Sequence, residues 1–435
     1  MTRDWLIVLA SLLALPLDAV SAQQPSQPSR DSLRLGSLHQ EAVAHDPRQS
    51  QFGLLDRQTD LRLTNLTAER LPAISFEAQG LYQSPVFAAP PGVPFPAPSK
   101  DIRDIRVSVD QAIFDQTINR RRATERARLA ESAAQVRTTL FGLRQEVNDA
   151  FFTAALIEKR IGILEATITG LERQHQEAVE RVRAGAALPG DTAALEASLV
   201  EHRQDVVVLA SSRRAALERL AQLTGRAALE ADVMALPDLA NEVAQARGEL
   251  AGLRSRPEYE EYARTRERLA REDEEVAAAQ WPQLSAFARI GRGRPGLNPI
   301  NTGWANYTIA GLKLTWSPWT WGSNGRERQA LTLQRDIVAA DEAAFEKNLT
   351  RSLQQDLATI DRMDTTLAMD DHIIALRERV ENETRRRFEE GVVTASEYVD
   401  RSNDVLEARL SQATHRVELA LARARLLTNL GLEIP

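Results

Sequence analysis

The run Gly291-Arg-Gly-Arg-Pro-Gly296 has the spelling of a dinucleotide-binding glycine turn. That chemistry requires the turn to open a helix whose N-terminal amides meet a pyrophosphate. Here the run follows alternating, strand-like sequence, carries a proline and continues into an Asn/Pro/Gly loop. It reads as the end of a hairpin, and no cofactor is expected. The six histidines, His39, His45, His175, His202, His372 and His415, include no two at metal-ligand spacing, and the chain has no cysteine to complete a site. A nucleophile elbow and a zinc-protease motif are both absent. Asp and Glu are plentiful but alternate with Arg along helical stretches, as solvated faces do. A hydrolytic carboxylate pair would need a cleft that no segment advertises. The chain is therefore not expected to be an enzyme.

The remaining chemistry-bearing groups are aromatic, acidic and basic. Trp304, Tyr307, Trp316, Trp319 and Trp321 gather four of the six tryptophans around one strand-like segment and its exit. Indoles favour a membrane headgroup layer, so these side chains read as rims of a membrane band; aromatic packing on a soluble hairpin is the alternative. Glu397 and Asp400 stand three apart on a helical stretch, which ordinarily makes them solvated neighbours on one face. The formal net charge of −7 and a pI near 5.6 leave no dominant basic patch for a nucleic-acid groove. The arginine bursts from Arg120 to Arg128 and from Arg385 to Arg387 are interrupted or closely followed by acids, and read as polar helix faces.

Long helices must position these groups. Leu140, Leu143, Val147, Phe151, Ala154, Ile157, Ile161, Leu164, Ile168 and Leu171 recur every three or four residues, the seam of a helix in coiled-coil-like contact. Little breaks the pattern between Asn119 and Arg183, so one helix there would reach on the order of 90 Å. The signal returns from Arg326 to Phe388, and shorter partners run from Asp191 to Leu223 and from Ser396 to Leu430. Before each rod the period changes to two. Ile105, Val107 and Val109 alternate with Arg106, Ser108 and Asp110, and a similar alternation runs from Asn306 to Trp316. Two hairpins cannot close a sheet alone, and in lipid their edges would be left unpaired. Either they pack on a soluble surface or several chains share one barrel.

The chain thus divides into a signal peptide over 1–22, a linker over 23–32, and two repeats over 33–232 and 233–435. Strands are expected near 73–84 and 101–113 in the first repeat, and near 283–294 and 305–317 in the second. Gly185 and Gly391 mark the sharp turns that follow the rods, and Asp191 would cap the returning helix of the first. With no cysteine in the sequence, the mature chain is expected to carry neither a disulfide nor a lipid anchor through a terminal cysteine.

In order and in duplicate, several short motifs resemble the TolC-like outer-membrane efflux family. They are Leu71-Pro72 and Trp281-Pro282, Asp110-Gln-Ala-Ile-Phe-Asp115, Leu314-Thr-Trp-Ser-Pro-Trp-Thr-Trp-Gly322, Arg183-Ala-Gly-Ala-Ala-Leu-Pro-Gly-Asp191 and Arg387-Phe-Glu-Glu-Gly391. Arg256-Pro257-Glu258 and Leu220-Ala-Gln-Leu-Thr-Gly225 resemble the opening of the family's second repeat and the close of its first. The resemblance implies a mainly α fold with a small β part. Three copies would form a shared twelve-stranded transmembrane barrel, continued by a periplasmic α-helical barrel. It implies an outer-membrane location in a Gram-negative bacterium, and a passive duct serving a tripartite efflux or type I export system.

The resemblance also assigns roles. Glu397 and Asp400 match the acidic constriction, with Glu standing where the family carries Asp. Gly185, Asp191, Phe388 and Gly391 fall at the turns that dock a periplasmic adaptor. Trp316, Trp319 and Trp321 would mark the periplasmic rim and Trp304 the outer rim; separately from the resemblance, the hairpin-end reading of the 291–296 run leads to the expectation that its arginines meet surface lipopolysaccharide. The implied partners are a homotrimer, the adaptor, an inner-membrane transporter of RND, ABC or MFS type, and outer-membrane lipid. The rival reading is a periplasmic coiled-coil adaptor, which would share the signal peptide and long helices but ordinarily carries one helical hairpin flanked by compact β-domains.

Overall fold

The computed structural model describes residues 32–84, 86, 99–227, 229, 233–249, 254–297 and 303–435. The expected signal peptide and nearly all of the linker lie outside the described residues, as do most of the 84–99 loop and part of the 295–303 loop. The chain opens with β1 (Ser32–Leu33), α1 (Leu35–His45), a 3-10 turn at Pro47–Ser50 and α2 (Gln51–Ala68). Then come β2 (Ala73–Tyr82), β3 (Asp101–Phe114), α3 (Gln116–Arg183) and α4 (Pro189–Thr224). The same order follows again: β4 (Val233–Met234), α5 (Ala240–Glu249), α6 (Pro257–Ala278), β5 (Gln283–Arg294), β6 (Ala305–Thr315), α7 (Ser323–Glu389) and α8 (Ala395–Asn429). β1 and β4 pair in parallel, Ser32 opposite Val233, so the starts of the two halves lie side by side.

The fold is mostly helical with a small antiparallel sheet. α3 has 68 residues and α7 has 67, rods of about 100 Å each. Both begin three residues earlier than the apolar seams indicate. For α3 the reason is local: β3 runs on to Phe114, and Asp115 then caps the helix, its Oδ1 accepting the Thr117 N–H at 2.8 Å. Each rod turns back into a shorter antiparallel partner, α4 or α8.

Midway along the rods α1, α3, α4, α5, α7 and α8 share one core that includes Leu38, Phe151, Phe152, Leu220 and Leu427. Phe151 and Phe152 meet edge to face at 5.2 Å. Ala42, Ala150, Ala154, Ala420 and Ala424 are buried among them and let the helices approach closely. A polar chain threads this core. His39 Nε2 lies 2.8 Å from Asn148 Oδ1, and Asn148 Nδ2 donates to Thr428 Oγ1 at 3.1 Å, tying α1, α3 and α8. Burial lowers the His39 pKa to about 4, so the ring is neutral at pH 7.

Nearer the sheet, α6 buries only Leu269 and Ala278 and meets α3 through charge. Arg268 pairs with Glu131 at 2.5 Å, Arg120 with Glu274 at 2.6 Å, Arg128 with Glu272 at 3.0 Å and Arg137 with Glu260 at 3.1 Å. The first arginine burst therefore meets carboxylates of its own chain.

The sheet runs in the order β2-β3-β5-β6, every neighbour antiparallel. The two hairpins are joined by β3 and β5, and β2 and β6 are left as edges. Cross-strand register fixes two faces. Ile74, Val109, Ala288 and Ala310 are successive partners, so their face also carries Phe76, Ile105, Val107, Ile290, Leu312 and Leu314. These apolar side chains are exposed, Ile74 to 74% and Leu312 to 69%. The other face is mixed and carries a paired polar group near its hairpin end. Arg106 bonds Glu77 and reaches Asp104 at 3.3 Å, and the Tyr307 hydroxyl donates to Asp104 at 2.7 Å.

Candidate functional site

The rods end in two turns built alike. Gly185 and Gly391 both adopt φ of 77°, a left-handed conformation that glycine takes without Cβ strain. The Ala186 N–H donates to the Arg181 carbonyl and the Val392 N–H to the Arg387 carbonyl, both at 2.8 Å. The Gly185 and Gly391 N–H groups reach the Val182 and Phe388 carbonyls, both at 3.0 Å. Each turn is thus a Schellman stop that satisfies the last free carbonyls of its rod.

The return helices are capped differently. Thr394 caps α8, accepting the Glu397 N–H at 3.3 Å. α4 begins after Leu188 with Pro189 at its first position, and Asp191 Oδ2 accepts the Leu188 N–H at 3.2 Å. Asp191 also does what the sequence does not announce. Its Oδ1 accepts the Ala395 N–H at 2.9 Å, so it serves the first turn of α8 as well as its own helix.

Arg181 completes a clasp. Its Nη1 donates to the Phe388 carbonyl at 2.8 Å, and its guanidinium lies 5.4 Å from the Phe388 ring centre. The first turn therefore presents a cation to the C-terminus of α7 and an anion to the N-terminus of α8, each the sign the helix dipole favours. Arg181 was missed in sequence; its only signal is a basic residue in the last helical turn. Phe388 is 3% exposed and stacks on Tyr398 at 5.8 Å between centroids. In the single chain it shapes the tip from inside, while Gly185, Asp191 and Gly391 lie toward the surface. Burial pushes the Tyr398 phenol well above its ordinary range. One turn higher, His202 lies 3.1 Å from Asn403 Oδ1 and binds α4 to α8.

Glu397 and Asp400 are exposed on the first turn and a half of α8, flanking the buried Tyr398. Among the described residues neither takes part in an ion pair, whereas Arg401 pairs with Asp404 at 2.7 Å. Two uncompensated carboxylates thus stand on one side of the tip.

At the opposite end of the rods, Trp316, Trp319 and Trp321 follow β6 and are exposed, with Trp319 and Trp321 edge to face at 5.9 Å. The Trp316 Nε1–H donates to the Gln280 carbonyl at 3.1 Å. Trp304 precedes β6 at the hairpin end, under the Arg292 guanidinium at 5.9 Å. Trp281, Phe114 and Tyr82 complete two aromatic levels that the sequence reading did not assemble, because register alone brings them level.

The Gly291–Gly296 run lies mostly in β5. Gly291 faces Tyr307 across the ladder, and a Cβ there would stand 2.5 Å from the ring. Its glycine serves aromatic packing on the polar face. Among the described residues no three His, Asp or Glu side chains gather as metal ligands, and no helix is long and apolar enough to cross a membrane.

The sequence profile of the family described as outer membrane efflux protein matches residues 63–226 and 261–432. No curated protein matches the chain. Among solved structures, the outer-membrane channel OprN is similar at 18% identity, with 91% of this chain and 89% of that one covered and a TM-score of 0.67. The open state of the Neisseria gonorrhoeae MtrE outer membrane channel is 17% identical over 92% of this chain and 89% of that one, with a TM-score of 0.65. The Campylobacter jejuni CmeC outer membrane channel is 12% identical over 91% and 85%, also with a TM-score of 0.65. At these identities the likeness is one of fold.

Proposed function

This chain belongs to the outer membrane efflux protein family, and from that premise we propose that three copies pool their sheets into one twelve-stranded barrel in the outer membrane. The protein is an outer-membrane efflux or export channel, a passive conduit and not an enzyme. Family membership also sets aside the periplasmic adaptor reading.

One observation carries the barrel reading. The sheet combines an exposed apolar face with two open edges, β2 and β6, of 10 and 11 residues. Water penalises the face, and lipid penalises unpaired edges. β2 and β6 run in opposite directions, so β2 of one chain can pair antiparallel with β6 of the next, and closure removes both costs. The apolar face then meets lipid, and the Asp104–Arg106–Glu77 network faces the lumen. From Trp304 to Trp316 the strand rises about 40 Å, which a barrel tilt reduces to about 30 Å, close to a hydrocarbon band. Trp304 then sits at the outer rim and Trp316, Trp319 and Trp321 at the periplasmic rim.

The rods of three chains would continue the duct into the periplasm, their turns at Gly185, Asp191 and Gly391 meeting an adaptor that leads to an inner-membrane transporter. Phe388 supports that surface from beneath. Glu397 and Asp400 from three chains would ring the tip with negative charge, favouring cations over anions.

The test is the oligomeric mass of the detergent-purified mature chain, followed by single-channel conductance in a planar bilayer. A trimer with discrete, cation-preferring openings is expected, and replacing Glu397 and Asp400 by alanine weakens the preference. A conducting trimer whose preference does not change would remove the acidic ring. A soluble, non-conducting monomer would remove the duct.

A further inference from the structure

Three arginines break the apolar face of the sheet at its hairpin end. Strand alternation places Arg103, Arg292 and Arg294 on the face of Ile105, Val107 and Ile290. Arg103 is the register partner of Arg294, so their Cβ atoms stand about 5 Å apart. Arg292 lies two residues along β5, about 7 Å away, opposite Ile105. Like charges directly opposed across a ladder destabilise it. Among the described residues the one acid at the same end of this face is Asp101, on the neighbouring outward position of β3.

On the other face one arginine is neutralised within the sheet itself. At the same height Arg106 is held by both Glu77 and Asp104. Among the described residues neither Arg103 nor Arg292 has a carboxylate partner, and Arg292 lies against the Trp304 ring instead. Arg103 and Arg292 therefore bring positive charge beside an interfacial indole, above a continuous apolar surface. A ligand that fits must bring anionic oxygen to the arginines and hydrocarbon to Ile105, Val107 and Ile290. Guanidinium forks match phosphate oxygens in pairs, which a lone ammonium would not.

We propose that Arg103, Arg292 and Arg294 form a site for the phosphate groups of an outer-leaflet lipid headgroup, one site per chain on the outer rim of the barrel. The assignment rests on the membrane orientation proposed above. The apolar continuity selects a lipid over free phosphate, because only a lipid satisfies both halves of the surface.

The test uses the full mature chain in detergent, its oligomeric mass recorded before any lipid is added. Binding of a diphosphorylated, acylated glucosamine lipid is titrated against its monophosphorylated form, with inorganic phosphate as a competitor. The wild-type chain binds the diphosphorylated form more tightly. Changing Arg103, Arg292 and Arg294 together to Gln weakens that binding by about tenfold or more, the scale of losing charge-assisted hydrogen bonds. Their joint change to Lys restores only part of it, and Arg289→Gln, on the opposite face, leaves it unchanged. Equal binding by the triple Gln variant and the wild type overturns the site. Displacement of the lipid by millimolar inorganic phosphate overturns the lipid assignment. A monomeric mass before lipid addition contradicts the barrel instead, and the same titration then tests the arginines on the monomer.

Discussion

Midway along the rods six helices surround Phe151, Phe152, Leu220 and Leu427 in one core, whereas at the tip only Leu171, Ala178, Leu195, Leu199, Phe388, Ala395 and Tyr398 are buried together. The middle is held by non-directional burial over a large area. The tip adds a clasp of directed bonds, Arg181 to the Phe388 carbonyl and Asp191 to the Ala395 N–H. Burial on the larger scale fixes a scaffold that opens only by unfolding. A few capping bonds over a small cluster can be exchanged at lower cost than a core of that size can be opened. The contrast separates a region held by burial from one held largely by directed bonds.

The largest effect that tests this contrast is Phe151→Ala, at a residue with 0% exposure. It is expected to destabilise the fold by about 3–5 kcal/mol and lower the global melting temperature. Phe388→Ala should leave that melting temperature near the wild-type value and loosen only the tip, read as faster protease cleavage at the turns. Equal losses of melting temperature would erase the distinction.

Acid should also strike the middle. The His39 pKa is about 4 in the fold against 6.5 for the free side chain, so the unfolded chain binds the extra proton between those values. The neutral ring's contribution is complete above pH 6.5 and is lost as pH falls toward 4, roughly 3 kcal/mol in all. Melting across that window should flatten in His39→Gln; an unchanged slope would clear His39 of the effect.

Asp191→Ala sharpens the comparison from the other side. It removes the acceptor shared by two helix starts, worth about 1–2 kcal/mol locally. Hydrogen exchange at the Ala395 amide should quicken by about tenfold while amides of the middle core keep their protection. The smallest expected effect is at the α3–α6 charge zipper. Arg268→Gln should cost less than about 1 kcal/mol and lose its effect in high salt, because the pair is partly solvated.

The local half of this design was legible. Seams of leucine and alanine announce the rods, period-two alternation announces the strands, and Gly185 and Gly391 announce the turns. What stayed hidden is what separation in sequence conceals. Asp191 and Ala395 are 204 residues apart, and Arg181 and Phe388 are 207. No local pattern predicts either bond, nor the pairing of β3 with β5 that aligns Arg103 with Arg294. Asp115 shows a smaller failure. A side-chain cap starts α3 before its apolar period begins, so the seam alone places the boundary late.

The claim on which the rest depends is that β2 of one chain pairs with β6 of the next. The chain has no cysteine, so introduced pairs report without background. Single cysteines placed at successive positions of β2, from Ile74 to Gly80, and combined in the same chain with cysteines from Thr308 to Leu314 of β6, would be oxidised in the membrane. Combinations in register are expected to yield a covalent trimer on a non-reducing gel, with either cysteine alone giving none. Monomers throughout the scan, from chains otherwise folded, would contradict it.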